Sequence, residues 1–336
     1  MFSLYILQKF LSLLILLRLN SLYGLISLII FFIIFFFKDA SYDILAYIEE
    51  VGKNNNNYEF FYNKITNLIN FFYNDKNLII KIYQILLIFF VCPIIFLFKK
   101  DRILILSIIL SSVAFMLAVH NNLRQGTALL FILFGILLYI KGYKKSGIFY
   151  TLISLGFHNS AIMFITAVVG LRFIFKLYIF RGYSKKKIEH IIFFYFYSFV
   201  VALMSTLLLF EIMELLKFKE YLNIDIANVN EERINHTTKI QILFFYTFLS
   251  EYFMKFRPVE NDLDFLRFLR IFFLFFVVFI SFLDSSYVEI SNRILYFYYI
   301  IEIGILCLFV EKQMYISLVF IMLASAFAFN VWSIIG

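Results

Sequence analysis

The chain has 336 residues, a mean hydropathy of +0.91, 63% hydrophobic against 15% charged residues, and a formal net charge of +8. Apolar runs such as residues 26–37 exclude a water-soluble globule, and their length, with only two prolines and eleven glycines, excludes a barrel of short alternating strands. The expectation is an all-α, polytopic membrane bundle formed by residues 1–336 as one domain, with no nucleic-acid partner, because in such a protein the positive charge reports topology.

The first apolar run, residues 3–17, contains Lys9 and lacks a small-residue cleavage site, so it reads as an anchor or a span. At about 1.5 Å per residue it barely crosses a ~30 Å hydrocarbon core, and totals of eleven and twelve spans are both allowed. After a run at 22–37 comes the first large polar segment, 38–77. Within it Asp43 and Tyr47 are spaced i, i+4 and share a helix face. Residues 54–57 are an asparagine loop, and residues 58–72, which include Glu59, carry the spacing of a short amphipathic helix at the interface.

Further spans are expected at 78–98, 103–119 and 126–140. The region 146–178 is interrupted by Gly156, Phe157, His158, Asn159 and Ser160, which predicts two short helices meeting at His158, a broken or re-entrant pair. Spans at 188–210, 238–254, 265–283, 294–310 and 313–333 follow, with a second polar segment at 211–237. Cys92 and Cys307 both sit in apolar runs, without metal-ligand spacing and unsuited to a disulfide. The 21% aromatic content reads as the product of an AT-rich genome and receives no weight as a binding surface.

Basic clusters at 99–102, 141–145, 172–187 and 255–270 are assigned to the cytoplasm. The alternation then closes if 146–178 crosses twice. It leaves 18 Lys and Arg against 7 Asp and Glu inside, and 11 against 14 outside. The outer face receives 38–77, 119–125, 211–237 and 284–293.

Chemistry concentrates on that face. Arg124 stands between apolar runs beside Asn121 and Gln125, and a charge so placed is a functional-site hypothesis by default. Its planar fork suits a diphosphate. An interfacial arginine that merely snorkels would not need amide neighbours. His158, in its polar break, is a candidate base for a sugar hydroxyl. His120, spaced i, i+4 from Arg124, is a competing base or a phosphate donor. Arg293 opens a later span from the same side, one turn after Glu289. Glu302, deep in that span, calls for a partner on a neighbouring helix. Asp39, Asp43 and Glu59 on the first outer segment are candidates for a base, for acceptor ligands or for a metal site, and no GxSxG, P-loop, HExxH or paired CxxC motif is present.

The sequence Asn121-x-x-Arg124-Gln125, an apolar span, a basic turn, then Phe157-His158-Asn159-Ser160-Ala161 resembles the EpsG family, Wzy-like proteins of bacterial exopolysaccharide and O-antigen assembly. Asp43-x-x-x-Tyr47, residues 58–61 and Arg293-Ile294 extend the resemblance over most of the chain. It implies a polymerase of undecaprenyl-diphosphate-linked oligosaccharide repeat units at the outer leaflet of the bacterial inner membrane, working without a metal, in membrane lipid and alongside a chain-length regulator. Arg124 and Arg293 would hold the donor diphosphate, and His158 would stand near the acceptor hydroxyl. Asn121, Gln125, His120, Asp43, Tyr47, Glu59 and Ser160 would line the substrate. The alternatives are a transferase adding one sugar with Asp39 or Asp43 as base, a flippase for the same lipid-linked oligosaccharide, and an acyltransferase.

Overall fold

The computed structural model describes residues 26, 28–33, 42–50, 60–99, 101–120, 122–158, 160–176, 195–207, 240–248, 250–251, 261–283 and 288–314. Every regular element among the described residues is helical, as the composition requires. Three helical stretches are long and apolar enough to cross a membrane, Lys76–Phe96, Leu123–Ile140 and Ile294–Glu311, with shorter apolar helices at Ala161–Arg172 and Tyr195–Leu207. The chain forms two compact units, one of residues 1–167 with 306–315, the other of residues 168–305 with 316–336.

In the first unit, α1 (Tyr42–Glu50) and α2 (Phe60–Phe72) are the two short helices expected of the first polar segment. Tyr62, Thr66 and Ile69 form the buried stripe of α2, and Phe60, Leu68, Phe71 and Phe72 are exposed, an apolar surface fit for lipid. Next comes α3 (Lys76–Phe89), capped by Asp75, whose Oδ1 accepts from the backbone N–H of Asn77 at 2.9 Å and Leu78 at 3.4 Å. Pro93, near the start of α4 (Cys92–Phe96), accompanies a turn at residues 90–91 inside the expected 78–98 span.

The expected span at 103–119 is also two helices, α5 (Arg102–Leu110) and α6 (Val113–His120). The interruption is made by Ser111 and Ser112, both buried. The Ser112 hydroxyl donates to the Ile109 carbonyl at 2.7 Å and accepts from the Phe115 N–H at 3.2 Å, so it caps α6 where no water would serve.

Helix α7 (Leu123–Ile140) follows and ends at Gly142, whose φ of +93° an L side chain rarely adopts. The N–H of Tyr143 returns to the Leu138 carbonyl at 3.0 Å, closing the turn that lays α8 (Lys144–Ile153) against α7. Lys141, at the end of α7, pairs with Glu311. Helix α8 tightens into a 3-10 turn at Ser154–Gly156, and α9 (Ala161–Lys176) begins after His158, so the expected pair of short helices meets where the polar break placed it.

The second unit contains helical residues 195–207, 240–248 and 250–251, most of α9, α10 (Asn261–Leu283) and α11 (Val288–Glu311) up to Ile305. Its centre is charged. Arg267 donates from Nε and Nη2 to Glu251 Oε2 at 2.9 and 2.5 Å, while Arg270 Nη2 donates to Glu251 Oε1 and to Ser250 Oγ, both at 2.7 Å. Glu302 lies 3.7 Å from Arg270 Nη1 and thereby gains the partner its position demanded. Arg267 and Arg270, counted in the basic cluster expected on the cytoplasmic side, are not solvated. Both are buried among helices because Glu251, Glu302 and Asp264 offset their charge. Without these two arginines and Glu251 the inside bias becomes 16 to 6 and keeps its sign.

Candidate functional site

Arg124 occupies the first turn of α7, two residues after the Asn122 cap, and is half-buried. Its guanidinium carbon lies 5.1 Å from the centre of the Tyr47 ring and 5.7 Å from that of Tyr62. The two rings stand 5.8 Å apart, and Tyr62 meets Tyr83 edge to face at 5.0 Å. The Tyr83 hydroxyl lies 3.0 Å from Thr127 Oγ1, and that oxygen donates its own proton to the Leu123 carbonyl at 2.8 Å, so Tyr83 is the donor. The contacts therefore leave α7 at Arg124, pass through α1, α2 and α3, and return to α7 one turn later.

This closed path fixes a guanidinium against two aromatic faces, an attraction worth about 0.5–2 kcal/mol depending on desolvation. It also corrects the discounting of aromatic residues. Tyr62 and Tyr83 were not foreseen as part of the site, yet Tyr62 follows the burial period of α2 with Thr66 and Ile69, which was a legible sign.

The floor beneath Arg124 is packed closely. A Cβ on Gly126 would fall 2.2 Å from the Ala118 Cβ, so α6 and α7 approach at a distance that only glycine permits there. Gln84 of α3 donates to the Val119 carbonyl at 2.8 Å and fastens the end of α6 to the same group of helices. Gln125 is buried at the start of α7, next to Arg124.

His158 is half-buried in the turn between α8 and α9. The backbone N–H groups of Phe157 and His158 bond to the Ser154 carbonyl at 3.1 and 3.2 Å, and the His158 carbonyl accepts from Ala161 at 3.1 Å. Phe157 is held by three rings, stacked on Phe131 at 5.0 Å and near Phe61 at 5.5 Å and Phe90 at 6.5 Å. Ser160 faces the imidazole. Its backbone N–H donates to Nδ1 at 3.0 Å and its hydroxyl lies 2.7 Å from the same nitrogen.

Arg124 and the His158 turn share a neighbour. Consecutive residues of α2 reach both, Tyr62 touching Arg124 and Phe61 packing on Phe157 and on Gly156, where a Cβ would fall 2.0 Å from the Phe61 ring. The structure thus brings Arg124, Tyr47, His158 and Ser160 to one group of helices. Asp43, His120 and Arg293 lie on α1, α6 and α11, but their side chains are outside the described residues, as are Asn121 and Glu59 altogether. Among the described residues no group of His, Cys, Asp and Glu is arranged to hold a metal ion.

The family model described as the EpsG family matches residues 20–336. The chain belongs to the EpsG family. No curated relative matches it, and no solved structure does. Membership and the apolar helices together make this EpsG protein a multi-pass membrane protein of polysaccharide biosynthesis, of the Wzy-like polymerase type, whose substrate class is a lipid-linked oligosaccharide.

Proposed function

We propose that this EpsG protein joins undecaprenyl-diphosphate-linked oligosaccharide repeat units at the outer leaflet of the bacterial inner membrane. The growing glycan leaves its lipid diphosphate and is transferred to a sugar hydroxyl of another lipid-linked unit. The observation that carries this reading is the fixed position of Arg124. A permanently charged, planar donor is held by two tyrosine faces in the first turn of an 18-residue helix, whose N-terminal N–H groups add to the pull on an anion.

The departing diphosphate is already a competent leaving group, so catalysis here consists of positioning it and neutralising the charge that grows as the C–O bond breaks. Arg124 performs that task without a metal. Arg293 is assigned a diphosphate contact on the family resemblance, and its variant is read separately. His158 stands at the reacting end, with Ser160 at its side. Asp43, Glu59, Asn121, Gln125, His120 and Tyr47 are assigned to the surroundings of the glycan and its diphosphate, and a chain-length regulator is the expected protein partner.

Replacing Arg124 by Lys keeps the charge but removes the fork, and it is expected to lower polymer formation by roughly 10²–10³-fold, the loss typical of a missing donor to a developing anion. The measurement is the polymer ladder from cells that carry the variant at normal abundance in the membrane. Normal polymer in that strain would overturn the assignment.

A further inference from the structure

We infer that His158 serves the reaction as a hydrogen-bond donor from Nε2 to an oxygen of the lipid-linked diphosphate, and not as the base for the acceptor hydroxyl. The inference rests on the polymerase reading above and specifies the chemistry of its histidine. Its basis is the contact between Ser160 and Nδ1.

A backbone N–H can only donate. Since that of Ser160 points at Nδ1 from 3.0 Å, Nδ1 must present its lone pair, and a neutral imidazole in this position carries its proton on Nε2. The Ser160 hydroxyl, 2.7 Å from Nδ1, adds a second donor to the same lone pair. Moving the proton to Nδ1, which would free the lone pair of Nε2 for a base, sets two N–H groups against each other. The surrounding turn resists any swing of the ring that would avoid this. The backbone of residues 157, 158 and 161 is hydrogen-bonded across the turn, and Phe157 is locked among Phe61, Phe90 and Phe131. Ser160 immediately precedes α9, where a serine usually serves as a helix cap, and here its hydroxyl is turned to the imidazole.

A donor at the reacting end is matched by an anion. Of the groups on the proposed substrate, the diphosphate oxygens are the strongest acceptors, and a hydrogen bond to them strengthens as the leaving oxygen gains charge. The step balances without a protein base. The acceptor O–H bond breaks as its oxygen bonds to the anomeric carbon of the donor. The bond from that carbon to the diphosphate breaks, with its electron pair going to the leaving oxygen. The proton passes to the released lipid diphosphate, whose terminal phosphate has a second ionisation near pH ~6 and holds a proton readily.

Glutamine separates donor from base, because its side-chain amide reaches about as far as Nε2 and donates but does not take up a proton. Purified full-length protein is given lipid-linked oligosaccharide extracted from a strain lacking it, and the polymer ladder is scored. His158→Ala is expected to lose roughly 10²-fold or more, and His158→Gln to remain within about tenfold of the unmodified protein. Equal loss in the two variants overturns the donor role. The second measurement needs no variant activity. With all four histidines 15N-labelled and His158 assigned by its absence in the glutamine variant, Nδ1 should resonate as an unprotonated nitrogen and Nε2 as a protonated one. A protonated Nδ1 overturns the inference. Absence of any polymer from the unmodified protein would instead defeat the polymerase reading itself.

Discussion

At the scale of single residues, Arg124 is defined by what surrounds it as much as by its charge. Tyr47 and Tyr62 hold the guanidinium within 5.1 and 5.7 Å of their ring centres, so its direction is set before any substrate arrives. Preorganisation of this kind reduces the ordering cost of binding and keeps the donors aimed where charge develops. Loss of one aromatic face, at about 1 kcal/mol, translates into roughly fivefold in rate. Tyr62→Leu is accordingly expected to lower the polymer ladder about fivefold at unchanged protein abundance, while Tyr62→Phe, which keeps the ring, stays nearer the unmodified level. Equal behaviour of the two variants would remove the aromatic face from the account. Arg124 itself was legible in the sequence because a charge between apolar runs is conspicuous. Tyr47 was legible from its spacing to Asp43 and Tyr62 from the burial period of α2, but their meeting was not, since the contacts join residues 47, 62, 83 and 127, separations that no helical period encodes.

At the scale of elements, the site depends on how closely α6 lies against α7. Gly126→Ala illustrates the competition of effects: alanine in place of a helical glycine gains about 1 kcal/mol of propensity, whereas overpacking costs about 1–3 kcal/mol. With the added Cβ only 2.2 Å from that of Ala118 and 2.7 Å from its Cα, the overlap wins. The variant should melt earlier in detergent and polymerise less, because Arg124 sits half a turn before the displaced residue. Adding Ala118→Gly removes the closer of the two contacts and should restore part of both losses; a purely additive pair would show that the helix contact is not the cause. The division of the chain into helices was legible to different degrees for physical reasons. The break at His158 announced itself through consecutive Gly, His, Asn and Ser within apolar sequence. The break at Ser111 and Ser112 did not, because a pair of serines inside an apolar run satisfies its hydroxyls on the helix backbone as readily as it ends a helix. The burial of Arg267 and Arg270 was not legible because charge counting treats every arginine as solvated, while the carboxylates that accompany them come from residues 251, 264 and 302.

At the scale of the whole molecule, stability and orientation are separate questions, and each has its own residues. The ion cluster of the second unit belongs to stability. Removing Glu251 leaves two arginines buried without their shared carboxylate, a loss of about 3–5 kcal/mol, so Glu251→Ala should be recovered in low yield and unfold well below the unmodified protein in a detergent melt. An unchanged melting temperature would show that the cluster does not secure that unit. Orientation is tested in the first unit. Residue 122 caps the start of α7 and residue 145 lies in the first turn of α8, just past the other end of α7, so the two flank opposite ends of an 18-residue helix about 27 Å long. On the proposed topology the basic turn at 141–145 faces the cytoplasm, and the start of α7, with Arg124, faces outward. Of the native thiols, Cys307 is buried and Cys92 half-buried, so an introduced cysteine can be read against a low background once Cys92 is replaced by serine. A membrane-impermeant maleimide applied to intact cells should label Asn122→Cys and spare Lys145→Cys until the membrane is opened. The reverse pattern would put Arg124 on the cytoplasmic side, where a lipid diphosphate is built and not polymerised, and would overturn the outer-leaflet reaction even if every contact around the guanidinium stood as described.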